Sequence, residues 1–109
     1  YSAMKAGLSN FTVSLAQTLA PDKILVNSIS PGPVWSKSWE DEAREQSNGS
    51  SLEQTKKEIM EQTGKTVPLN RMGMPEDLTG LALFLASEQS AWITATNFNV
   101  DGGLTRNPF

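Results

Sequence analysis

The amino-acid sequence predicts an α/β fold, in which a layered sheet carries helices on its faces. Three observations favour this class. Apolar residues recur at helical spacing in two segments, two other segments are short and rich in β-forming residues, and the helical and strand segments alternate along the chain. The predicted order is helix, strand, polar lid, helix, strand.

The first predicted helix covers residues 2–19. Its apolar residues are separated by four, three, four and four positions, which places them in one stripe along the helix. These residues are Met4, Leu8, Phe11, Leu15 and Leu19. Pro21 ends the helix, because proline cannot continue the hydrogen-bonding pattern. Small residues on another face predict packing on more than one side.

Two segments have the composition of strands. Residues 24–29 form a short β-rich run that ends before the turn at 31–33, and we predict a buried strand there. Residues 94–100 alternate between two faces and precede an Asp-Gly-Gly turn at 101–103. This pattern predicts a second strand and the turn that terminates it.

Between the strands, the composition becomes polar. Residues 39–65 contain seven of the twelve acidic residues and four of the nine basic ones. We predict a lid at about 36–66, built from two short, exposed helices around a turn at 47–50. Pro75 then opens another helix, whose apolar stripe falls within residues 78–85.

Composition excludes several kinds of function. The chain of 109 residues has a net charge of −3, and its scattered cations predict no binding to nucleic acid or to an anionic membrane surface. Without Cys or His, it contains no Cys–His or Ser-His-Asp arrangement, and we expect no metal site. No apolar run is long enough for a membrane span, and we expect a cytoplasmic protein.

Two predicted strands are too few for a stable sheet. The sequence also begins at the first turn of a helix, without an initiator Met. We therefore expect residues 1–109 to be the carboxyl-terminal half of one domain, whose amino-terminal half is not in this sequence.

Tyr1 and Lys5 lie one helical turn apart on the same face. An unperturbed phenol has a pKa near ~10, too high for proton exchange at neutral pH. A lysine ammonium about 4 Å away, at an effective dielectric of ~20, is worth roughly 4 kcal/mol and lowers a phenol pKa to as low as ~7. The pair is thus a candidate acid/base, although this spacing also occurs in solvated surface pairs.

The turn at residues 31–36 follows the carboxyl end of the first predicted strand, the edge where open α/β sheets bind ligands. Gly32 allows close approach to the backbone, while the Val34 amide and the Ser36 hydroxyl offer hydrogen-bonding groups. A plain turn that ends a strand is an equally good interpretation of these residues taken alone.

Five blocks together resemble the carboxyl-terminal half of a short-chain dehydrogenase/reductase, in order and in approximate spacing. The blocks are Tyr1–Gly7, Leu25–Val34, Pro68–Asp77, Phe84–Ser87 and Val100–Gly103. The resemblance implies a Rossmann-type, doubly wound parallel sheet and an enzyme that interconverts alcohols and carbonyls with NAD or NADP.

The resemblance also implies roles for individual residues. Tyr1 matches the catalytic acid/base, and Lys5 matches the residue that lowers its pKa and holds the nicotinamide ribose. Pro31-Gly32 match the turn beside the nicotinamide, and Val34 matches the backbone contact to the carboxamide. Ser36 stands where the family usually has Thr and keeps the hydroxyl.

Two features depart from the family pattern. Ala95 replaces a usual Gly before the last strand, which puts the local backbone in question. The family's glycine-rich loop, its catalytic Ser and the residue that selects NAD or NADP belong to the missing half, so we expect the isolated fragment to be inactive.

For the substrate, we predict a small alcohol or ketone with an apolar or ring-shaped body, contacted by Trp35 and Trp39. An equally good interpretation is that the two indoles pin the lid to the rest of the domain. A 3-oxoacyl carrier-protein reductase is an alternative, but its acidic partner is poorly matched to an acidic lid.

Two further classes remain open: a non-catalytic dinucleotide-binding protein of the same fold, and a small helical interaction module. Because the apolar stripes exceed what two strands can cover, we also predict a homo-oligomer, with a tetramer favoured by the family resemblance.

Overall fold

The computed structural model describes residues 2–49 and 51–105. It contains four α-helices and two strands among these residues, connected by loops and two short 3₁₀ turns. They are α1 (Ser2–Leu19), β1 (Ser28–Pro31), α2 (Lys37–Gln46), α3 (Leu52–Gly64), α4 (Glu76–Leu85) and β2 (Asn97–Val100). This order confirms the predicted alternation. No helix within the described ranges is both long and apolar enough to cross a membrane.

The described residues form two compact units. The first contains residues 2–30 and 79–99, and the second contains residues 31–78 and 100–105. The first unit holds α1, most of α4 and nearly all of both strands. The second holds both lid helices and the loop that follows β1.

Helix α1 ends as predicted, because Pro21 lies in the 3₁₀ turn that follows it. Its apolar stripe is exposed: Met4, Leu8 and Phe11 have 78%, 61% and 62% of their surface accessible. The buried positions of α1 are instead Thr12 and Ala16. Within the described residues, this helix therefore packs through a face other than the one that its periodicity predicts.

Strands β1 and β2 run parallel. The Ser28 amide donates to the Thr96 carbonyl over 3.0 Å, and the Ala95 amide donates to the Val26 carbonyl over 2.9 Å. The strand begins at Ser28 rather than at residue 24, and Ile24 remains 48% exposed. The prediction of a buried strand at 24–29 is thus wrong in its start, because pairing with residues 97–100 sets where the strand begins. It is also wrong in its burial, since Ser28, Ile29 and Ser30 are only half-buried and Pro31 is exposed.

A tight turn with an unusual backbone precedes β2. Ala95 has a φ of 59°, in the left-handed region that L-residues avoid. The side chain of Asn27 holds this turn, since its amide nitrogen donates to the Ile93 carbonyl at 3.0 Å and its oxygen accepts from the Thr96 amide at 3.1 Å. The chain thus keeps the conformation that a glycine would adopt here.

Replacing Ala95 by Gly is expected to stabilise the complete protein by about 0.5–1 kcal/mol. A left-handed L-residue costs roughly 1–2 kcal/mol, and the added flexibility of Gly in the unfolded chain recovers only part of the gain. Urea denaturation checks this. Ala91→Gly is the matched control, because Ala91 has a φ of −59° and the same substitution there is expected to destabilise. Equal effects at both positions would contradict the strain at Ala95.

In the second unit, the region predicted to be a lid contains two polar helices, α2 and α3. Residues 47–49 form a turn after α2, and Gly49 adopts a φ of 85° there. These helices are not fully exposed, however. Trp35, Ala43 and Met72 form a buried cluster in this unit. Partly buried apolar residues pack on this cluster, namely Trp39, Leu52, Ile59, Met60 and Met74. The lid helices are therefore anchored by a small core of their own.

Candidate functional site

The loop that leaves β1 passes very close to the turn after β2. The Gly32 amide donates to the Val100 carbonyl at 2.9 Å. A Cβ atom added at Gly32 would lie 2.8 Å from the Asp101 Cα and 2.7 Å from its Cβ. Only glycine can occupy this position, because any side chain would collide with Asp101. The lack of a side chain therefore allows the first half of the loop to pack against the turn after β2.

Asp101 fixes the turn against which Gly32 packs. Its carboxylate accepts hydrogen bonds from the Gly103 and Thr105 amides, both at 3.0 Å, and from the Thr105 hydroxyl. The Thr105 hydroxyl, and then the backbone amides, hold the pKa of Asp101 below its usual value. The turn therefore stays braced at neutral pH and is expected to loosen only as acid protonates this carboxylate.

A short bridge to Gly73 orients the second half of the loop. The Gly73 amide donates to the Pro33 carbonyl at 2.9 Å, and the Gly73 carbonyl accepts from the Trp35 amide at 3.0 Å. This is a parallel bridge between Val34 and Gly73. In such a bridge the central residue turns its own amide and carbonyl to the opposite side. The Val34 backbone groups therefore point away from Gly73.

Next to this bridge, Arg71 and Asp77 form a two-pronged ion pair. Both guanidinium–carboxylate distances are 2.8 Å, and Asp77 also accepts from the Met74 amide at 2.8 Å. The Arg71 guanidinium, followed by the Met74 amide, holds the pKa of Asp77 well below its usual range. Asp77 in turn raises the pKa of Arg71. The pair is consequently ionised at every physiological pH.

The two tryptophans occupy different environments. Trp35 is 9% exposed, and its indole N–H donates to Glu40 at 3.2 Å. The Lys56 ammonium lies 3.1 Å from Glu40 and 5.5 Å from the centre of the Trp35 ring. Trp39 is half-buried, with its ring centre 6.3 Å from that of Trp35. Trp35 therefore has the contacts of a packing residue, and Trp39 retains free surface.

The Lys56 ammonium also controls the charge at the base of the lid. It holds the pKa of Glu40 below its usual value, with the Trp35 N–H and Arg44 acting in the same direction. Glu40 is thereby kept as an anion that ties α2 to α3.

The remaining site residues named from the sequence are placed as follows. Ser36 precedes α2, is exposed, and makes no side-chain capping bond to the helix, so its hydroxyl is not used for capping. Pro31 is exposed at the end of β1. Lys5 lies in α1 with an exposed side chain, in the first unit. Tyr1 lies outside the described residues.

A cavity of about 50 Å³ is lined by residues of the loop and its supports, including Gly32, Val34, Gly73 and Gly102. It admits only a few water molecules, whereas ligand pockets usually exceed ~300 Å³. This cavity is therefore too small for a dinucleotide.

Residues 1–105 match the family model described as enoyl-(acyl carrier protein) reductase. An uncharacterized oxidoreductase of Mycobacterium tuberculosis is 41% identical over 103 residues, which are 94% of this chain and 37% of that protein. A 3-oxoacyl-[acyl-carrier-protein] reductase of Aquifex aeolicus is 38% identical over 104 residues, 95% of this chain and 37% of that protein. The chain belongs to the short-chain dehydrogenase/reductase family.

Solved structures of the family confirm the predicted Rossmann-type class. The crystal structure of L-sorbose reductase from Gluconobacter frateurii, complexed with NADPH and L-sorbose, superposes with a TM-score of 0.83 at 28% identity. The superposition covers 96% of this chain and 40% of that one. The chain thus spans about two fifths of the length of these proteins.

Sequence reasoning missed the residues that support the loop. Arg71, Gly73, Asp77 and Asp101 fall within blocks that carry the family resemblance, but no role follows from their spacing. Helical periodicity does not pair Arg71 with Asp77, because the chain between them is a loop that turns into α4. The only sequence signal was the concentration of glycine and proline around them.

In the complete protein, Trp39→Ala is expected to raise the substrate KM several-fold with a smaller change in kcat. The reason is that Trp39 keeps accessible ring surface, whereas Trp35 is used in packing. Trp35→Ala serves as the comparison and is expected to lower the free energy of unfolding by about 3–5 kcal/mol. Steady-state kinetics and denaturation together measure both. A destabilised Trp39→Ala variant with an unaltered KM would assign this residue to packing as well.

Proposed function

We propose that the complete protein is a cytoplasmic oxidoreductase that uses NAD or NADP to interconvert an alcohol and a carbonyl on a small molecule. The present chain contributes the acid/base and the nicotinamide-side loop. The observation that carries the proposal is the family match over residues 1–105, which spans both Tyr1 and Lys5. A protein that only bound the dinucleotide would need the lysine more than the phenol.

The loop geometry supports binding of the cofactor's nicotinamide end. Gly32 packs without a side chain against Asp101, which positions the start of the loop, and Val34 turns its amide and carbonyl away from the supporting bridge. An outward-facing amide and carbonyl are complementary to a carboxamide, which offers one acceptor and two donors. Ser36 adds a hydroxyl that no capping bond occupies.

In this proposal, Tyr1 moves the proton. During reduction its hydroxyl donates a proton to the carbonyl oxygen of the substrate, and during oxidation the phenolate accepts the proton of the alcohol. The Lys5 ammonium favours the phenolate and donates to the ribose hydroxyls of the cofactor. Bound NADH or NADPH supplies the hydride.

For the substrate, we favour a small alcohol, ketone or sugar over a carrier-protein thioester. Residues 39–65 contain seven acidic and four basic residues, and an acidic lid repels an acidic carrier protein. The similarity to a 3-oxoacyl-[acyl-carrier-protein] reductase keeps that activity as the second candidate.

We also propose that the complete protein is a homo-oligomer, most simply a tetramer. The exposed stripe of Met4, Leu8 and Phe11 on α1 and the 67% exposed Leu83 on α4 are apolar surfaces of the kind that subunit contacts bury. Light scattering at micromolar concentration is expected to give a mass above that of one subunit.

Turnover of the complete protein tests the proposal. The nicotinamide absorbance of NADH and of NADPH is followed after addition of small ketones, sugars and a carrier-protein-bound 3-oxoacyl thioester. We expect at least one small carbonyl to be reduced faster than the carrier-protein substrate. Faster reduction of the thioester would favour the second candidate, and failure to bind either dinucleotide would overturn both.

A further inference from the structure

The pair of Arg71 and Asp77 does more than join two charges on the surface. The Asp77 carboxylate accepts from both Arg71 nitrogens and from the Met74 amide, and Arg71 also donates to the Met72 carbonyl at 3.3 Å. Two of these four hydrogen bonds join the side chains, and the other two hold the backbone at Met72 and Met74, on either side of Gly73. We refer to Arg71 and Asp77 as the clamp.

Gly73 lies inside the segment that the clamp fixes. It makes both hydrogen bonds of the bridge to the Pro33–Trp35 stretch, and a Cβ atom at Gly73 would approach the Val34 side chain to 3.0 Å. The hydrogen bonds of Gly73 therefore orient the backbone around Val34. The clamp in turn holds the residues on both sides of Gly73. All of these contacts lie within the second compact unit.

We infer that Arg71 and Asp77 are positioning residues for the nicotinamide end of the cofactor, acting through Gly73 on the Val34 amide and carbonyl. This inference rests on the proposed function. In this inference, the clamp acts without touching the cofactor or the substrate. It restricts the loop to the one orientation that binds a carboxamide. Without the clamp, the loop would adopt several orientations, and selecting the binding orientation among them would cost affinity.

A simpler role for Asp77 is to cap the amino terminus of α4, which its bond to the Met74 amide supports. Arg71 separates the two roles, because it is not part of the helix. The side chains of Arg71 and Asp77 are 57% and 33% exposed. Exposed ion pairs contribute little to the free energy of unfolding, so the loss of Arg71 leaves the fold largely intact.

The test measures binding of NADH and NADPH and, separately, of ADP-ribose and its 2′-phosphate, which lack the nicotinamide. In the complete protein, Arg71→Gln is expected to raise the Kd of the preferred dinucleotide by about fivefold to tenfold. The Kd of the matching ADP-ribose is expected to change less than about twofold, because the clamp acts only on the nicotinamide side. Arg71→Lys keeps the charge but loses the planar guanidinium. Its Kd for the dinucleotide is expected to lie between those of the wild-type protein and Arg71→Gln.

Arg44→Gln is the matched control. Arg44 also pairs with a carboxylate in the second unit, at 3.8 Å from Glu40, and it forms no hydrogen bond or ion pair with the described residues 71–74. Its removal is expected to leave both Kd values unchanged. Asp77→Asn provides a second variant, since an amide oxygen still accepts from Met74 while the charged pair is lost, and it is expected to behave like Arg71→Gln.

Two results would overturn the inference: an unchanged dinucleotide Kd in Arg71→Gln, or equal losses for the dinucleotide and for ADP-ribose. If the wild-type protein binds neither NADH nor NADPH, the proposed function itself fails and the inference fails with it. Normal wild-type binding with an unaffected Arg71→Gln variant rejects the clamp alone.

Discussion

In the complete protein, Tyr1→Phe is expected to lower turnover by about a hundredfold or more, while the Kd of the cofactor stays nearly unchanged. The substitution removes only the hydroxyl that exchanges the proton and keeps the ring. The measurement is kcat at saturating cofactor and substrate, with cofactor binding determined separately. A variant with near-normal turnover would remove Tyr1 from the role of acid/base.

Gly32→Ala is expected both to lower the free energy of unfolding and to weaken cofactor binding. The new Cβ atom would lie 2.7–2.8 Å from Asp101, and the hydrogen bonds of the Asp101 carboxylate prevent that turn from yielding. Overpacking of this kind costs about 1–3 kcal/mol. Because the loop must shift, we also expect the cofactor Kd to rise about tenfold or more. Denaturation and cofactor titration measure the two effects.

Gly49→Ala controls for a general loss of stability. Gly49 has a φ of 85°, so alanine is strained there by about 1–2 kcal/mol. Among the described residues other than its chain neighbours, however, no heavy atom lies within 4 Å of the added Cβ. We expect it to destabilise the protein without weakening cofactor binding. If both glycine variants bound the cofactor normally, the close approach at Gly32 would have no role in holding the loop.

The helices were predictable because their signals are local. Pro21 follows the end of α1 and Pro75 precedes the start of α4, and the apolar spacing within each of these helices can be recognised without knowing its packing partner. Burial was less predictable. The apolar stripe of α1 is exposed, and the strand predicted from residue 24 begins only at Ser28. Burial and strand bounds depend on which other residues cover the helix or pair with the strand.

The same distinction applies to the candidate site. The loop at residues 31–36 was predictable, since it combines a strand end with Pro-Gly-Pro. Its supports were not, because Gly73 pairs with Val34 across a long stretch of chain and no periodicity connects them. The sequence also left open whether Trp35 packs or binds, and its buried contact with Glu40 favours packing.

The pH dependence of alcohol oxidation by Lys5→Met is the sharpest test of the proposed acid/base role of Tyr1. A positive charge beside a phenol lowers its pKa, so loss of the Lys5 charge raises the pH at which Tyr1 becomes a phenolate. We expect the rising limb of the oxidation rate to move to higher pH by roughly one to three pH units, together with weaker cofactor binding. A lower rate with an unchanged pH profile and an unchanged cofactor Kd would contradict the proposed role of Lys5 beside Tyr1.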